Sequence, residues 1–89
     1  SKVFRIREMQ TEVELLANAE KDAAAKATLA QLAEKLRFSD PMSDDQLADL
    51  ENRIGAKIAE LSTAADKTAI IEELDSLLEE RNRKCKTLK

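Results

Sequence analysis

The chain has 89 residues and a net charge of −3, and 43% of its residues are hydrophobic although only 2% are aromatic. This length suits one domain, because two separate cores would each be too small to offset the entropy of ordering the chain. A single glycine, a single proline and so few aromatic residues exclude hairpin-rich and barrel folds, and the mild charge gives no overall sign of nucleic-acid binding. We therefore expect one all-α domain over residues 1–89.

The cellular compartment is predicted from what the sequence lacks. The longest apolar run is too short to span a bilayer, and the first residues do not have the pattern of a signal peptide. Cys85 is the only cysteine, so the chain cannot form an intrachain disulfide and does not belong to the disulfide-stapled secreted class. We expect a cytoplasmic protein with no membrane partner.

The first helix is predicted over about residues 2–37, a segment without glycine or proline. The apolar residues of its first half share one helical face, whereas the leucines of its second half lie nearly opposite. The stripe of the first half consists of Ile6, Met9, Val13 and Leu16. Either one continuous helix buries different faces at its two ends, or the helix breaks near residues 18–22 and Asp22 caps a second one. We favour the continuous helix, because several alanines support helix across the proposed break.

Pro41 marks the clearest loop, at residues 38–42, since proline removes a helical hydrogen bond and restricts the residue before it. A second helix is predicted over about residues 43–62, where Ser43 and Gln46 have the spacing of a capping box. Its apolar stripe is the most regular in the chain. The stripe contains Leu47, Leu50, Ile54, Ile58 and Leu61.

A weaker interruption near residues 62–66 precedes the last helix, predicted over about residues 65–88. These segments indicate an antiparallel helical hairpin or three-helix bundle with one long N-terminal helix. If the first helix is broken, the same pattern gives four helices instead.

The sequence offers little catalytic chemistry. It has no histidine or tyrosine, no glycine-rich phosphate loop, and no base near its lone cysteine. Its acidic clusters lack both the alternation of a calcium loop and the histidine of a di-iron bundle. We therefore expect no enzyme, no catalytic or metal-binding residue, no cofactor and no small-molecule substrate.

The leading hypothesis is a protein–protein interaction module that uses coiled-coil-like helix packing. An unbroken first helix would extend roughly 50 Å, well beyond the second helix and somewhat beyond the third. Its apolar stripe would then need cover from outside the chain. We favour a two-fold homodimer, in which a second copy of the chain buries this stripe, and the alternative is a helix of a partner protein. Arg81 interrupts the apolar stripe of the last helix, where it could pair with a carboxylate across an interface and specify register. The proposed interaction residues are Ile6, Met9, Val13, Leu16 and Arg81.

The alternative hypothesis is a small nucleic-acid-associated protein. The last nine residues carry five basic side chains and no acidic one. These are Arg81, Arg83, Lys84, Lys86 and Lys89. A broken first helix would bring Lys2, Arg5 and Arg7 to the same end of the molecule. The competing explanation is helix electrostatics, because basic residues near a helix C-terminus are favoured by the dipole.

Overall fold

The structure is a computed structural model that describes residues 5–89, and within those residues it contains four α-helices and no strand. Helix α1 spans Arg5–Ala19, α2 spans Ala23–Arg37, α3 spans Ala48–Leu61 and α4 spans Thr68–Thr87. One turn of 3-10 helix, Asp45–Leu47, precedes α3. The all-α prediction is confirmed, and the arrangement has four helices rather than three.

The continuous helix expected over residues 2–37 is wrong, because a turn at residues 20–22 separates α1 from α2. Asp22 has an extended backbone, and its carboxylate accepts a hydrogen bond from the backbone N–H of Ala25 at 2.9 Å, which caps α2. The carboxylate of Glu20 accepts hydrogen bonds from the next two backbone N–H groups, which supports the reversal. Local capping and the burial of both apolar faces in one hairpin outweigh the helix propensity of the alanines.

The helix starts also differ from the predicted ones. Asp44, and not Ser43, provides the cap before α3: its carboxylate accepts a hydrogen bond from the backbone N–H of Gln46 at 2.8 Å. Helix α4 begins at Thr68, whose backbone N–H donates to Asp66 at 3.0 Å. In both places an aspartate satisfies an N–H group that has no partner in the first helical turn.

The helices form an up-down-up-down bundle of two antiparallel hairpins, α1 with α2 and α3 with α4. Helix α1 also packs against α3, and α2 against α4, so the diagonal pairs are α1 with α4 and α2 with α3. The Cα positions extend over 39 × 19 × 18 Å. We call the end that holds the link between the hairpins, residues 38–47, the loop end, and the opposite end, which holds both tight turns, the turn end. The first residues of α1 and the last residues of α4 contact this link, so the start of α1 and the end of α4 lie at the loop end.

The core lies between the two hairpins and is built from aliphatic side chains of all four helices. The α1 stripe is part of it: Ile6, Met9 and Val13 are buried and Leu16 is half-buried against the same cluster. Closure of the bundle therefore covers the face that an isolated long helix would have exposed. Within residues 5–89, no helix is both long enough and apolar enough to cross a membrane.

Candidate functional site

Arg81 is the most unusual residue of the interior, since its side chain is 0% exposed although it is charged. Its Nε and Nη2 atoms donate hydrogen bonds to Oε2 of Glu51 at 3.1 and 3.0 Å. The Glu51 side chain is itself 5% exposed, so the two ions form a buried pair between α4 and α3. The carboxylate that pairs with Arg81 thus lies in the same chain, and not across an interface between chains.

The remaining N–H groups of the Arg81 guanidinium donate mainly to backbone carbonyl groups of the loop at residues 38–42. Nη1 donates to the carbonyl oxygen of Asp40 at 2.6 Å and to Oδ1 of Asn82 at 3.1 Å, and Nη2 donates to the carbonyl oxygen of Met42 at 2.9 Å. With the two bonds to Glu51, the side chain of Arg81 makes five hydrogen bonds, which matches the five N–H groups of a guanidinium. No donor of this buried cation is left unsatisfied.

Residues from α1 and α4 hold the start of the same loop. Arg7 donates to the carbonyl oxygens of Arg37 at 3.0 Å and Ser39 at 2.7 Å. The hydroxyl of Ser39 donates to the carbonyl oxygen of Lys35 at 2.6 Å and accepts from Nδ2 of Asn82 at 3.0 Å. Residues 38–42 are therefore fixed by side chains of α1 and α4 in addition to their own turn.

Asp40 and Lys89 form an ion pair at the outer side of this loop. The hydrogen bond from Lys89, followed by one from the backbone N–H of Met42, lowers the pKa of the Asp40 carboxyl. The same contact with Asp40 raises the pKa of Lys89. Both shifts favour the charged forms, so the pair is ionised throughout the neutral range.

Phe38 lies at the C-terminus of α2, where this fixed loop begins, and its side chain is 77% exposed. Its backbone N–H donates to the carbonyl oxygen of Glu34 at 3.0 Å, which completes the last turn of α2. The guanidinium of Arg37 lies 5.2 Å from the ring centroid, within cation–π distance. Phe38 borders a groove between α2 and α4 of about 540 Å³, and Leu78 is the apolar residue of that groove.

Sequence reasoning missed Phe38. The sequence did offer one signal: aromatic residues are rare in this chain, which has only two, and one of them adjoins the proline loop. Its exposure could not be predicted, since it depends on how α2 is rotated against α4. By contrast, the predicted interaction residues of α1 are covered by their own chain, and the structure brings Arg81 to the loop and not to the α1 stripe.

The predicted basic cluster is divided by the fold. Arg81 is buried and Lys89 is paired with Asp40, so neither belongs to a free basic surface. Three members remain exposed on the last turns of α4: Arg83, Lys84 and Lys86. Of the basic residues expected to join them, Arg7 donates to backbone carbonyls of the loop. Lys2 lies outside the described residues.

Other candidate chemistry is sparse in the part of the chain that the structure describes. Cys85 is a buried free cysteine on the interior face of α4, where it fills space as a small apolar side chain. Residues 5–89 hold no group of three histidine, cysteine or acidic side chains that could bind a metal ion. Comparisons with family models, curated proteins and solved structures found no match to this chain.

Proposed function

We propose that the protein is a non-enzymatic interaction module that docks onto another protein through Phe38. The observation that carries this proposal is an aromatic side chain, 77% exposed, on a backbone that two arginines hold in one conformation. Aromatic residues are enriched at protein interfaces and frequently dominate their binding energy. Cytoplasmic localisation remains part of the same proposal.

The fixed loop matters because the free energy of binding has to offset the conformational entropy that every group at the interface loses. A side chain displayed on a flexible loop loses backbone entropy when it docks, whereas one on a preorganised loop loses little. The buried position of Arg81 is consistent with this role, because its hydrogen bonds define the path of residues 40–42. Arg81 would then act as a positioning residue and Phe38 as the contact.

The surroundings of Phe38 suggest the chemistry of the partner. Charged groups of both signs border the groove beside the ring, including the ion pair of Lys35 with Asp75 at 2.9 Å, and Leu78 beneath them is buried in the core. A partner that fits this surface has an apolar pocket for one aromatic ring and polar groups around it. The docking surface therefore differs from the α1 stripe on which the sequence-based dimer depended.

The test uses the tagged wild-type chain, Phe38→Ala and a matched control, Leu15→Ala, in the natural host. Leu15 is 64% exposed on α1, at the edge of the bundle away from the α2–α4 groove, so its truncation removes comparable apolar surface elsewhere. We expect a protein that co-purifies with wild type and with Leu15→Ala but not with Phe38→Ala. With that protein purified, loss of a hot-spot aromatic should weaken binding by about 30-fold or more. Equal affinity of Phe38→Ala and wild type would contradict the proposal.

A nucleic-acid-associated function is the second proposal. Its support is that Arg83, Lys84 and Lys86 are exposed together at the loop end, with α1 beginning beside them. Binding of random duplex DNA should then weaken steeply with salt, and replacement of all three by alanine should reduce that salt dependence. Salt-independent binding, or none at low salt, would remove this alternative.

A further inference from the structure

The side of the bundle between α1 and α3 lies opposite the α2–α4 groove that Phe38 borders. It holds an open groove of about 280 Å³. The groove is lined mainly by apolar side chains, and its residues are Glu12, Leu15, Leu16, Ile58, Ala59 and Ser62. Within residues 5–89, Leu15 and Phe38 are the two large apolar side chains that remain exposed. We call this groove, together with Glu8 and Gly55 beside it, the α1–α3 face.

Gly55, the only glycine of the chain, lies on α3 one turn before Ala59. Glycine inside a helix is destabilising relative to alanine, so its presence needs a reason. Packing within the bundle does not supply one, because a Cβ atom added at Gly55 would meet Nη2 of Arg5 and Cε of Met9 at 3.6 Å, which is ordinary van der Waals contact. An alanine would therefore fit the bundle at this position.

The α1 side of this face is acidic. Glu8 and Glu12 are exposed one turn apart, where like charges slightly destabilise a helix. Within residues 5–89 neither carboxylate has a hydrogen bond or an ion pair. Arg5 lies at the loop end of the same side, so two carboxylates and one guanidinium leave this side with a net negative charge. The α3 residues opposite are uncharged, and they are Gly55, Ala59 and Ser62.

We propose that the α1–α3 face binds a basic amphipathic helix of a partner protein, which lies lengthwise in the groove. Glycine and alanine one turn apart let the backbone of that helix come close to α3, and its apolar stripe covers Leu15. Its lysine or arginine residues lie over the α1 side, where they pair with Glu8 and Glu12. Charge complementarity selects a basic helix, since an acidic one would place like charges together. The face extends from Glu8 to Leu16, about 12 Å along α1, which matches about two turns of the partner helix.

This proposal does not rest on the docking of Phe38, because the two surfaces are on opposite sides of the bundle and can be occupied together. If both hold, one chain joins two proteins. The partner of Phe38 then lies against α2 and α4, and the basic helix lies against α1 and α3.

The probe is a synthetic alanine-rich peptide of about 18 residues, long enough to form a helix, with one Leu–Ala stripe and lysines along both flanks. A second peptide has glutamates in place of the lysines. Fluorescence anisotropy of the labelled peptides with the whole chain, at about 0.01 M salt, measures both affinities. The lysine peptide should bind with a Kd of about 100 μM or tighter, and the glutamate peptide should bind at least about tenfold more weakly.

Three variants test the named contacts. Ala59→Leu fills the groove, and Glu8→Gln with Glu12→Gln removes the charge, so each should weaken binding of the lysine peptide by about tenfold or more. Gly55→Ala should raise the Tm by about 4 °C, because alanine favours helix, and should weaken binding, because its methyl group holds the peptide away from α3. A Gly55→Ala variant that is less stable than wild type would show that the bundle itself requires the glycine, and the proposal would then fail.

Matched changes elsewhere control for folding and net charge. Ala30→Leu adds the same bulk to the exposed face of α2, and Glu79→Gln with Glu80→Gln removes the same charge from α4, diagonally across the bundle from α1. Both, like Phe38→Ala, should bind the lysine peptide as wild type does. Equal affinity for the two peptides, no binding at about 1 mM, or undiminished binding to Ala59→Leu would overturn the proposal. Sedimentation of a wild-type dimer that Ala59→Leu abolishes would also overturn it, because that result assigns the face to a second copy of the chain.

Discussion

The two ends of the bundle are closed by different chemistry. At the loop end, a buried arginine uses five hydrogen bonds to join α3, α4 and the link between the hairpins. At the turn end, Lys26 donates to the carbonyl oxygens of Ala17 and Asn18 at 3.0 and 3.3 Å, and Lys67 pairs with Glu20 at 3.6 Å. The side chains of Lys67 and Glu20 at the turn end are half-buried, whereas Arg81 is fully buried.

This difference follows from what each end has to do. The turn end reverses the chain within each hairpin, which short turns with aspartate caps accomplish locally. The loop end connects diagonal helices through a longer segment whose carbonyl groups need partners. The planar guanidinium provides several fixed donors at once, whereas an ammonium group is a flexible point charge. The end whose link is held by a buried guanidinium is therefore the end that displays Phe38.

The largest predicted effect comes from breaking the buried pair at the loop end. Arg81→Ala should lower the free energy of unfolding by about 3–5 kcal/mol, because it leaves Glu51 charged, buried and unpaired. The matched change at the turn end, Lys67→Ala, should cost less, about 1 kcal/mol, because both partners of its ion pair keep part of their contact with solvent and neither is left fully buried without a partner. Urea unfolding measures both. Similar losses at the two ends would refute the distinction between them.

The second prediction concerns the contribution of buried apolar side chains to stability, measured at one leucine near the loop end and one in the main core. Leu50 is buried beside Glu51 near the loop end, and Leu74 is buried in the main core. Each Leu→Ala truncation should cost about 2–5 kcal/mol in the free energy of unfolding, because it removes buried methyl groups and leaves a cavity. If both losses are below about 0.5 kcal/mol, the packing assigned to these faces is wrong.

The third prediction concerns the cap that interrupts the first predicted helix. Asp22→Ala should lower the free energy of unfolding by about 1 kcal/mol, because the backbone N–H of Ala25 loses its acceptor. Asp22→Asn keeps a side-chain oxygen at the cap and should retain most of the stability. If alanine and asparagine are equivalent in thermal unfolding, the break between α1 and α2 does not depend on this cap.

The sequence predicted those features that depend on neighbouring residues. Apolar spacing placed the core faces of the helices, and Pro41 placed the loop, because both signals act within a few residues. The break at residues 20–22 was weighed but not favoured, since alanine propensity and an aspartate cap differ by only small energies. What decided it was the burial of both faces in one hairpin, which is a tertiary effect.

Two features of the candidate site depend on contacts that no local pattern specifies. The sequence suggested a carboxylate partner for Arg81 but could not identify it, because Glu51 lies 30 residues away and only the packing of α3 on α4 brings the two together. The exposure of Phe38 likewise depends on how α2 is rotated against α4. Both features belong to the loop end, where contacts distant in sequence determine the structure.

The smallest predicted effect is the pH dependence of stability that comes from one carboxyl at each end, Glu20 at the turn end and Asp40 at the loop end. Hydrogen bonds lower the pKa of both carboxyls: the backbone N–H of Asp22 is the main cause for Glu20, and Lys89 is the main cause for Asp40. A folded-state pKa below the unfolded one adds stability that is fully present above the unfolded value and is lost as pH falls through the folded value. Unfolding in urea at pH values from about 6 down to about 3 should therefore show decreasing stability, and Glu20→Gln and Asp40→Asn should each reduce that decrease. An acid dependence identical to wild type in both variants would show that neither carboxylate is stabilised by its folded contacts.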